Sequence, residues 1–163
     1  MDPVTTKVTI GRPREEVFDY LADIANHPEF SDHYLKEWHL TRVDSVGRGA
    51  GARFRRDKRF DRFGWGYMTF VEVERPYRIA AVGRGGKFNR NKTFSSWTLT
   101  PSSGGTIVEY TTETEPALPT DRIMEAFGMR RWFKRGNKKA MRRLQSILEE
   151  DYDRGRRATI AGV

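Results

Sequence analysis

The hydrophobic pattern of the chain starts as a short strand and then winds into a helix. VTTKVTI, residues 4–10, is a short run rich in β-branched residues and predicts a first strand. In RPREEVFDYLADIA the period changes, placing Val17, Phe18, Leu21 and Ile24 on one helical face, with Pro13 at the start and acids in the first turn. NHPEF predicts a second short helix, capped by Asn26 or His27 and carrying Pro28 in its first turn.

The period then returns to two. EWHLTRVDSV, GARFRRDKRF, WGYMTFVEVER, YRIAAVGRG, KTFSSWTLTP and TIVEYTTETE are six strand candidates, punctuated by Gly, Pro, Ser and Asp. From Thr120 a helical pattern runs to about Asp151, and DYDRGRRATIAGV predicts a frayed, flexible tail. Connections this short make the strands antiparallel neighbours, because parallel pairing needs crossovers of about a dozen residues. The predicted class is α+β: a seven-stranded curved antiparallel sheet wrapped around a long C-terminal helix, with two short helices after the first strand. No repeat or linker divides the chain, so residues 1–151 are expected to form one domain and 152–163 the tail.

Alternation also predicts an inner face. Tyr67, Thr69, Val71 and Val73 are expected to point inward between outward Glu72 and Glu74. Thr93, Ser95, Trp97 and Leu99 share one face of the next-to-last strand, and Val108, Tyr110 and Thr112 one face of the last. The pattern fits an ordinary core and also an apolar pocket with a few orienting hydroxyls, and periodicity alone does not choose. On the C-terminal helix, Met129, Phe133, Gly136, Ala140, Leu144 and Ile147 fall on the face that covers the sheet. Gly136 and Ala140 suit either close packing or room for a ligand.

Charge changes this picture in two places. The chain carries 30 Lys and Arg against 22 Asp and Glu, a formal +8, and the excess is local: residues 42–62 hold eight bases and three acids, and residues 122–143 nine bases and one acid. On the second stretch Arg130, Lys134, Lys138 and Arg142 form one row at i,i+4 spacing, and Arg131, Arg135, Lys139 and Arg143 the next. A solvated face is the plain reading. The functional one is contact with an anionic membrane or RNA through Arg131, Lys134, Arg135, Lys138 and Lys139, with Trp132 as interfacial anchor if the helix is straight; a kink near Gly128 would instead turn Trp132 toward the pocket mouth.

The absence of cysteine excludes disulfides, thiol catalysis and thiolate-bound metals. No secretory signal and no apolar span are found, so a soluble, cytoplasmic protein is expected. His27, His33 and His39 lie six apart among acids, but the helical H-E-x-x-H arrangement is missing and no metal or cofactor is expected. GRGAG and GRGGK lie between strands and lack the P-loop pattern, and no G-x-S-x-G elbow occurs.

The order of IGRPREEVFDYLADIANHPEF, FVEVERPYRI, WTLTPSSGGTIVEYT and a long terminal helix resembles the polyketide cyclase/dehydrase branch of the START-like (SRPBCC) superfamily, over roughly residues 4–150. The resemblance implies the helix-grip fold of the birch pollen allergen and a cavity for hydrophobic molecules between sheet and helix. It supplies no universal catalytic residues. The first expectation is therefore binding or carrying of a hydrophobic small molecule, such as a lipid, isoprenoid or polyketide, lined by Phe54, Tyr67, Thr69, Val71, Trp97, Tyr110, Thr112, Met129 and Phe133. The alternative is a cyclase or dehydratase in which Arg56, Tyr67 or Tyr110 supplies the polar chemistry; Arg56 shares parity with Phe54 and Phe60. Nucleic acid is the least expected partner.

Overall fold

The computed structural model describes residues 2–57, 63–124 and 128–160. Strand β1 (Val4–Ile10) leads into α1 (Arg14–Ala22), which buries Val17, Phe18, Leu21 and Ala22 and carries Glu15 and Glu16 in its first turn. There the acids face the positive end of the helix dipole. A 3₁₀ turn over Ile24–Asn26 follows, then α2 (His27–Ser31). Asn26 stands at the N-cap of α2, as expected, but its side chain makes no capping hydrogen bond there. Asp23 caps the turn by accepting from the Ala25 N–H, and Asn26 donates its amide to the Tyr20 carbonyl at 3.0 Å.

Six strands then succeed one another: β2 (Leu35–Leu40), β3 (Gly51–Arg56), β4 (Trp65–Glu74), β5 (Arg78–Gly85), β6 (Asn91–Ser102) and β7 (Gly105–Glu115). They form one antiparallel sheet in the order β1-β7-β6-β5-β4-β3-β2, a meander whose last strand takes β1 at its edge. β2 begins earlier and ends earlier than its sequence pattern, with a register shift between Lys36 and His39 and Glu37 at φ 53°. Phe60, at the end of the expected third strand, lies outside the described residues.

The predicted C-terminal helix is two helices. α3 (Pro119–Met124) is separated from α4 (Arg130–Ile160), and Gly128 before α4 has φ 110°, which breaks the helical path. α4 continues past Asp151, packs against β1, β7 and α2, and buries Phe133, Asn137, Ala140, Met141, Leu144 and Leu148. The core is continuous from α1 through the sheet to α4, with Phe18, Phe70 and Trp97 among its largest fully enclosed side chains. Burying one such side chain contributes roughly 1.5–3 kcal/mol.

β4 corrects the predicted inner face. Opposite β5 the register runs Phe70 to Ala81 and then Glu72 to Ala80, so Val71 is an extra residue and the alternation changes phase there. Before the bulge the inward residues are Gly66, Met68 and Phe70; beyond it Val73 packs on the core, as expected. Tyr67, Thr69 and Val71 lie on the opposite, outer face, where Tyr67 is 37% and Val71 40% exposed. The Arg53 guanidinium sits on that outer side, 3.8 Å from the Trp65 ring centre and 5.9 Å from that of Tyr67.

Candidate functional site

A concave inner face needs a place where side chains are missing. In this sheet Gly66 pairs with Gly85, and Met68 with Gly83, so three glycines leave the wall of β4 and β5 bare on neighbouring strands. The Phe54 ring lies over Gly66, 3.1 Å from where a Cβ would stand, and the Arg56 guanidinium lies over Gly85 at 3.6 Å. The pocket that results is lined by Leu35, Phe54 and Phe133 on its apolar side and by Thr93, Ser95, Tyr110 and Thr112 on its polar side, with Arg56 and Arg84 also at its wall. Two wider hollows, one beside Arg12 and Arg14 and one beside Arg42 and Arg48, are lined mostly by turn and charged residues and lie outside the grip.

The pocket encloses about 40 Å³. That is room for a few water molecules. A drug-sized ligand occupies a site of about 300–1,000 Å³, so a hydrophobic guest of that size requires Phe54 and Phe133 to move aside.

A chain of polar groups runs along the deep wall. Tyr34 Oη donates to Asn137 Oδ1 at 3.0 Å, and Asn137 Nδ2 donates to Thr112 Oγ1 at 3.2 Å. Thr112 and Ser95 in turn neighbour the Tyr110 hydroxyl and partly offset the rise in its pKa that burial causes, while Ser95 Oγ donates to Met68 Sδ at 3.8 Å. Asn137 is fully buried and both ends of its amide are satisfied, which is what a buried amide requires. Burial raises the pKa of Tyr110 and raises that of Tyr34 well above the usual phenol value, so both are neutral hydrogen-bond donors at any physiological pH. Behind Tyr110 the Trp97 ring stacks at 4.7 Å, and its buried indole N–H has no hydrogen-bond partner among the described residues.

Of the lining residues expected from sequence, Phe54, Tyr110, Thr112 and Phe133 meet at this pocket, and Arg56 lies beside them. Tyr67 borders it from a strand position whose ring faces outward, and Thr69 and Val71 are turned away by the bulge. Trp97 stands one layer deeper, behind Tyr110; Met129 packs against the core without lining the pocket. Sequence reasoning omitted Tyr34 and Asn137. The signal for Asn137 was its position, four residues after Phe133 on the face of α4 that turns inward.

Gly136 gives close packing rather than ligand room: a Cβ there would stand 2.4 Å from Tyr34 Cδ2. Trp132 is also drawn inward, 5.4 Å from Tyr34 and 5.0 Å from Phe133 between ring centres, which is the orientation expected of a helix broken near Gly128 and not that of a straight one. The cations of that face are where the pattern put them. Arg130, Arg131, Lys134, Arg135, Lys138, Lys139 and Arg142 are exposed and make no ion pair among the described residues, whereas Arg143 is held by Asp32 at 2.5 Å.

The three histidines diverge. His27 is fully buried, its Nε2 is 2.9 Å from the Leu21 carbonyl, and the rings of Phe30, Trp38, Phe70 and Trp97 surround it. Desolvation lowers its pKa to about 4. His33 Nε2 lies 3.1 Å from the Gly136 carbonyl, with its pKa lowered chiefly by burial, and His39 belongs to β2. Among the described residues no three His, Cys, Asp or Glu side chains are grouped as metal ligands. No helix there is long and apolar enough to cross a membrane.

A sequence model of the family described as polyketide cyclase / dehydrase and lipid transport matches residues 1–149. No curated protein matches the chain. Among solved structures, the chain is similar to KanY protein, with a TM-score of 0.73 at 15% identity over 90% of this chain and 97% of that one. It is similar to TTHA0849 from Thermus thermophilus, with a TM-score of 0.69 at 13% identity over 90% and 96% of the two chains. Norcoclaurine synthase from Thalictrum flavum, in complex with dopamine and hydroxybenzaldehyde, gives 0.68 at 11% identity over 91% and 87%. At these identities the likeness is one of fold.

Proposed function

Because this chain belongs to the polyketide cyclase / dehydrase and lipid transport family, we propose that it binds or carries a hydrophobic small molecule between its sheet and α4. The observation that supports this reading above all is the asymmetry of the pocket wall. Phe54, Leu35 and Phe133 offer apolar surface, while Ser95, Tyr110 and Thr112 offer hydroxyls, that of Thr112 held by Asn137. Such a wall suits a mostly apolar guest with one polar end, the apolar part excluding water and the hydroxyls setting its direction. The norcoclaurine synthase of similar fold holds two small aromatic molecules, which is consistent with this use of the architecture.

The small enclosed volume makes the reading testable. Phe54→Ala with Phe133→Ala removes the two rings that line the apolar side of the pocket, and is expected to tighten binding of lipids and aromatic polyketides, read as quenching of tryptophan fluorescence. Thr112→Val and Tyr110→Phe are expected to weaken binding of guests with a polar end by several-fold and to leave pure hydrocarbons unaffected. Absence of binding by both the wild-type and the opened variant, across such a panel, would remove the proposal.

Cyclisation or dehydration is a second reading of the same site, favoured by Tyr110. A neutral phenol in a desolvated wall can donate to an oxygen on which negative charge develops, and such donors lower barriers by about 3–4 kcal/mol where they are well placed. Arg56 adds a positive charge at the wall. Turnover that survives in both Tyr110→Phe and Arg56→Gln would dismiss these two residues as catalytic groups.

A further inference from the structure

The loops beside the pocket mouth end in apolar tips. Phe63 precedes β4, Phe88 stands in the β5–β6 turn directly after the pocket-lining Arg84 and Gly85, and Leu118 and Ile123 flank the start and body of α3. Their exposures are 48%, 85%, 46% and 58%. Single exposed apolar side chains are ordinary on a protein surface, but these four are tied together. The Lys87 ammonium lies 5.9 Å from the Phe63 ring centre and 5.2 Å from that of Phe88. Arg90 of the same turn grips Asp121 of α3 with two hydrogen bonds of 2.7 and 2.5 Å, and the Ala117 N–H donates to Asn91 Oδ1 at 3.1 Å. Arg56, on the pocket wall, donates to the Phe63 carbonyl at 3.1 Å.

Phe88 sits at φ 59°, a left-handed backbone that bulky residues seldom adopt, yet its ring is the most exposed of the four. The ring faces solvent from a conformation that the chain's own packing does not reward. Beside the tips along the chain the charge is positive: Lys87, Arg84 and Arg122 make no ion pair among the described residues, while the acid of α3, Asp121, is neutralised by Arg90.

We infer that this rim seats the pocket mouth on an anionic lipid bilayer, with Phe88, Ile123 and Leu118 at the acyl boundary and the neighbouring cations among the headgroups. Apolar tips beside cations are the complement of such an interface, where burial of hydrocarbon and attraction to acidic headgroups add. RNA would use the cations but would leave the aliphatic tips in water. Docking in this way goes beyond the binding of a guest and does not rest on it.

Sedimentation with phosphatidylcholine vesicles, with and without phosphatidylglycerol, tests it on the full chain. Wild-type protein is expected to favour the anionic vesicles by about tenfold or more, a preference reduced by salt. Phe88→Asn with Ile123→Ser is expected to lose about tenfold of that binding; asparagine tolerates the left-handed backbone, and an unchanged melting temperature verifies the fold. Lys138→Gln with Arg142→Gln, further along α4, is expected to change it less. Equal vesicle binding by wild type and Phe88→Asn/Ile123→Ser overturns the inference, as does binding of single-stranded RNA in place of vesicles. Guest binding is measured separately, without vesicles, so failure of one reading is distinguishable from failure of the other.

Discussion

The two ends of the grip differ in how they fill space. At one end His27 is enclosed by Phe30, Trp38, Phe70 and Trp97, and its ring nitrogen meets a backbone carbonyl. At the other, Gly66, Gly83 and Gly85 leave the inner wall bare, the hydroxyls of Thr93, Ser95, Tyr110 and Thr112 face the rings of Phe54 and Phe133 across a small pocket, and Arg56 and Arg84 stand at the wall. The same sheet and the same helix serve both. The difference teaches that this architecture separates its tasks along the helix: close packing at one end holds the fold, and incomplete packing at the other leaves room for chemistry.

Trp97→Ala tests the closed end most severely. It removes a ring in contact with His27, Phe70 and Tyr110, and large aromatic truncations of this kind cost about 3–5 kcal/mol. Chemical denaturation is expected to show that loss, whereas Phe54→Ala at the half-buried mouth is expected to cost clearly less. If the two truncations destabilise equally, the ends are not distinct.

Acid attacks the closed end next. The His27 pKa lies near 4 in the native state against 6.5 for the free group, so between these values the unfolded chain takes up a proton that the native chain refuses. Stability therefore falls as pH drops from 6.5 towards 4 and this contribution levels off below, a loss of roughly 3 kcal/mol. His27→Gln is expected to flatten that part of the stability profile while lowering stability at neutral pH.

Between the ends, Gly136→Ala drives a methyl group into the Tyr34 ring and is expected to cost about 1–3 kcal/mol. The disturbance should reach the pocket, because Tyr34 anchors the hydrogen-bonded chain to Asn137 and Thr112. The smallest effect is expected from Lys138→Gln on the exposed face of α4, within about 0.5 kcal/mol in thermal melts. A larger shift there would mean that the charge is engaged in the fold.

Much of the closed end was legible because it obeys local rules. Val17, Phe18 and Leu21 recur at helical spacing on α1, with Ile24 buried in the turn beyond it, and Trp97 and Leu99 continue without interruption the alternation that Thr93 and Ser95 begin at the open end. The open end was less legible because its features are not periodic. The extra residue in β4 turned Tyr67, Thr69 and Val71 outward, and nothing in WGYMTFVEVER marks where the phase slips. Gly128 divided what reads as one helix. Asn137 and Tyr34 lie 103 positions apart, and a partnership at that distance is decided by the docking of α4 on α2, which no local window contains.

The bulge at Val71 has a consequence for how the protein can change. It resets the phase of β4, so that Phe70 and Val73, three positions apart, both turn inward. Deleting Val71 alone would restore unbroken alternation through Phe70, Glu72 and Val73 and keep Gly66, Met68 and Phe70 on the inner face. What such a one-codon deletion would change is the local bend and twist of the strand, so the glycine floor of the pocket is insulated from the loss of a residue there while its curvature is not.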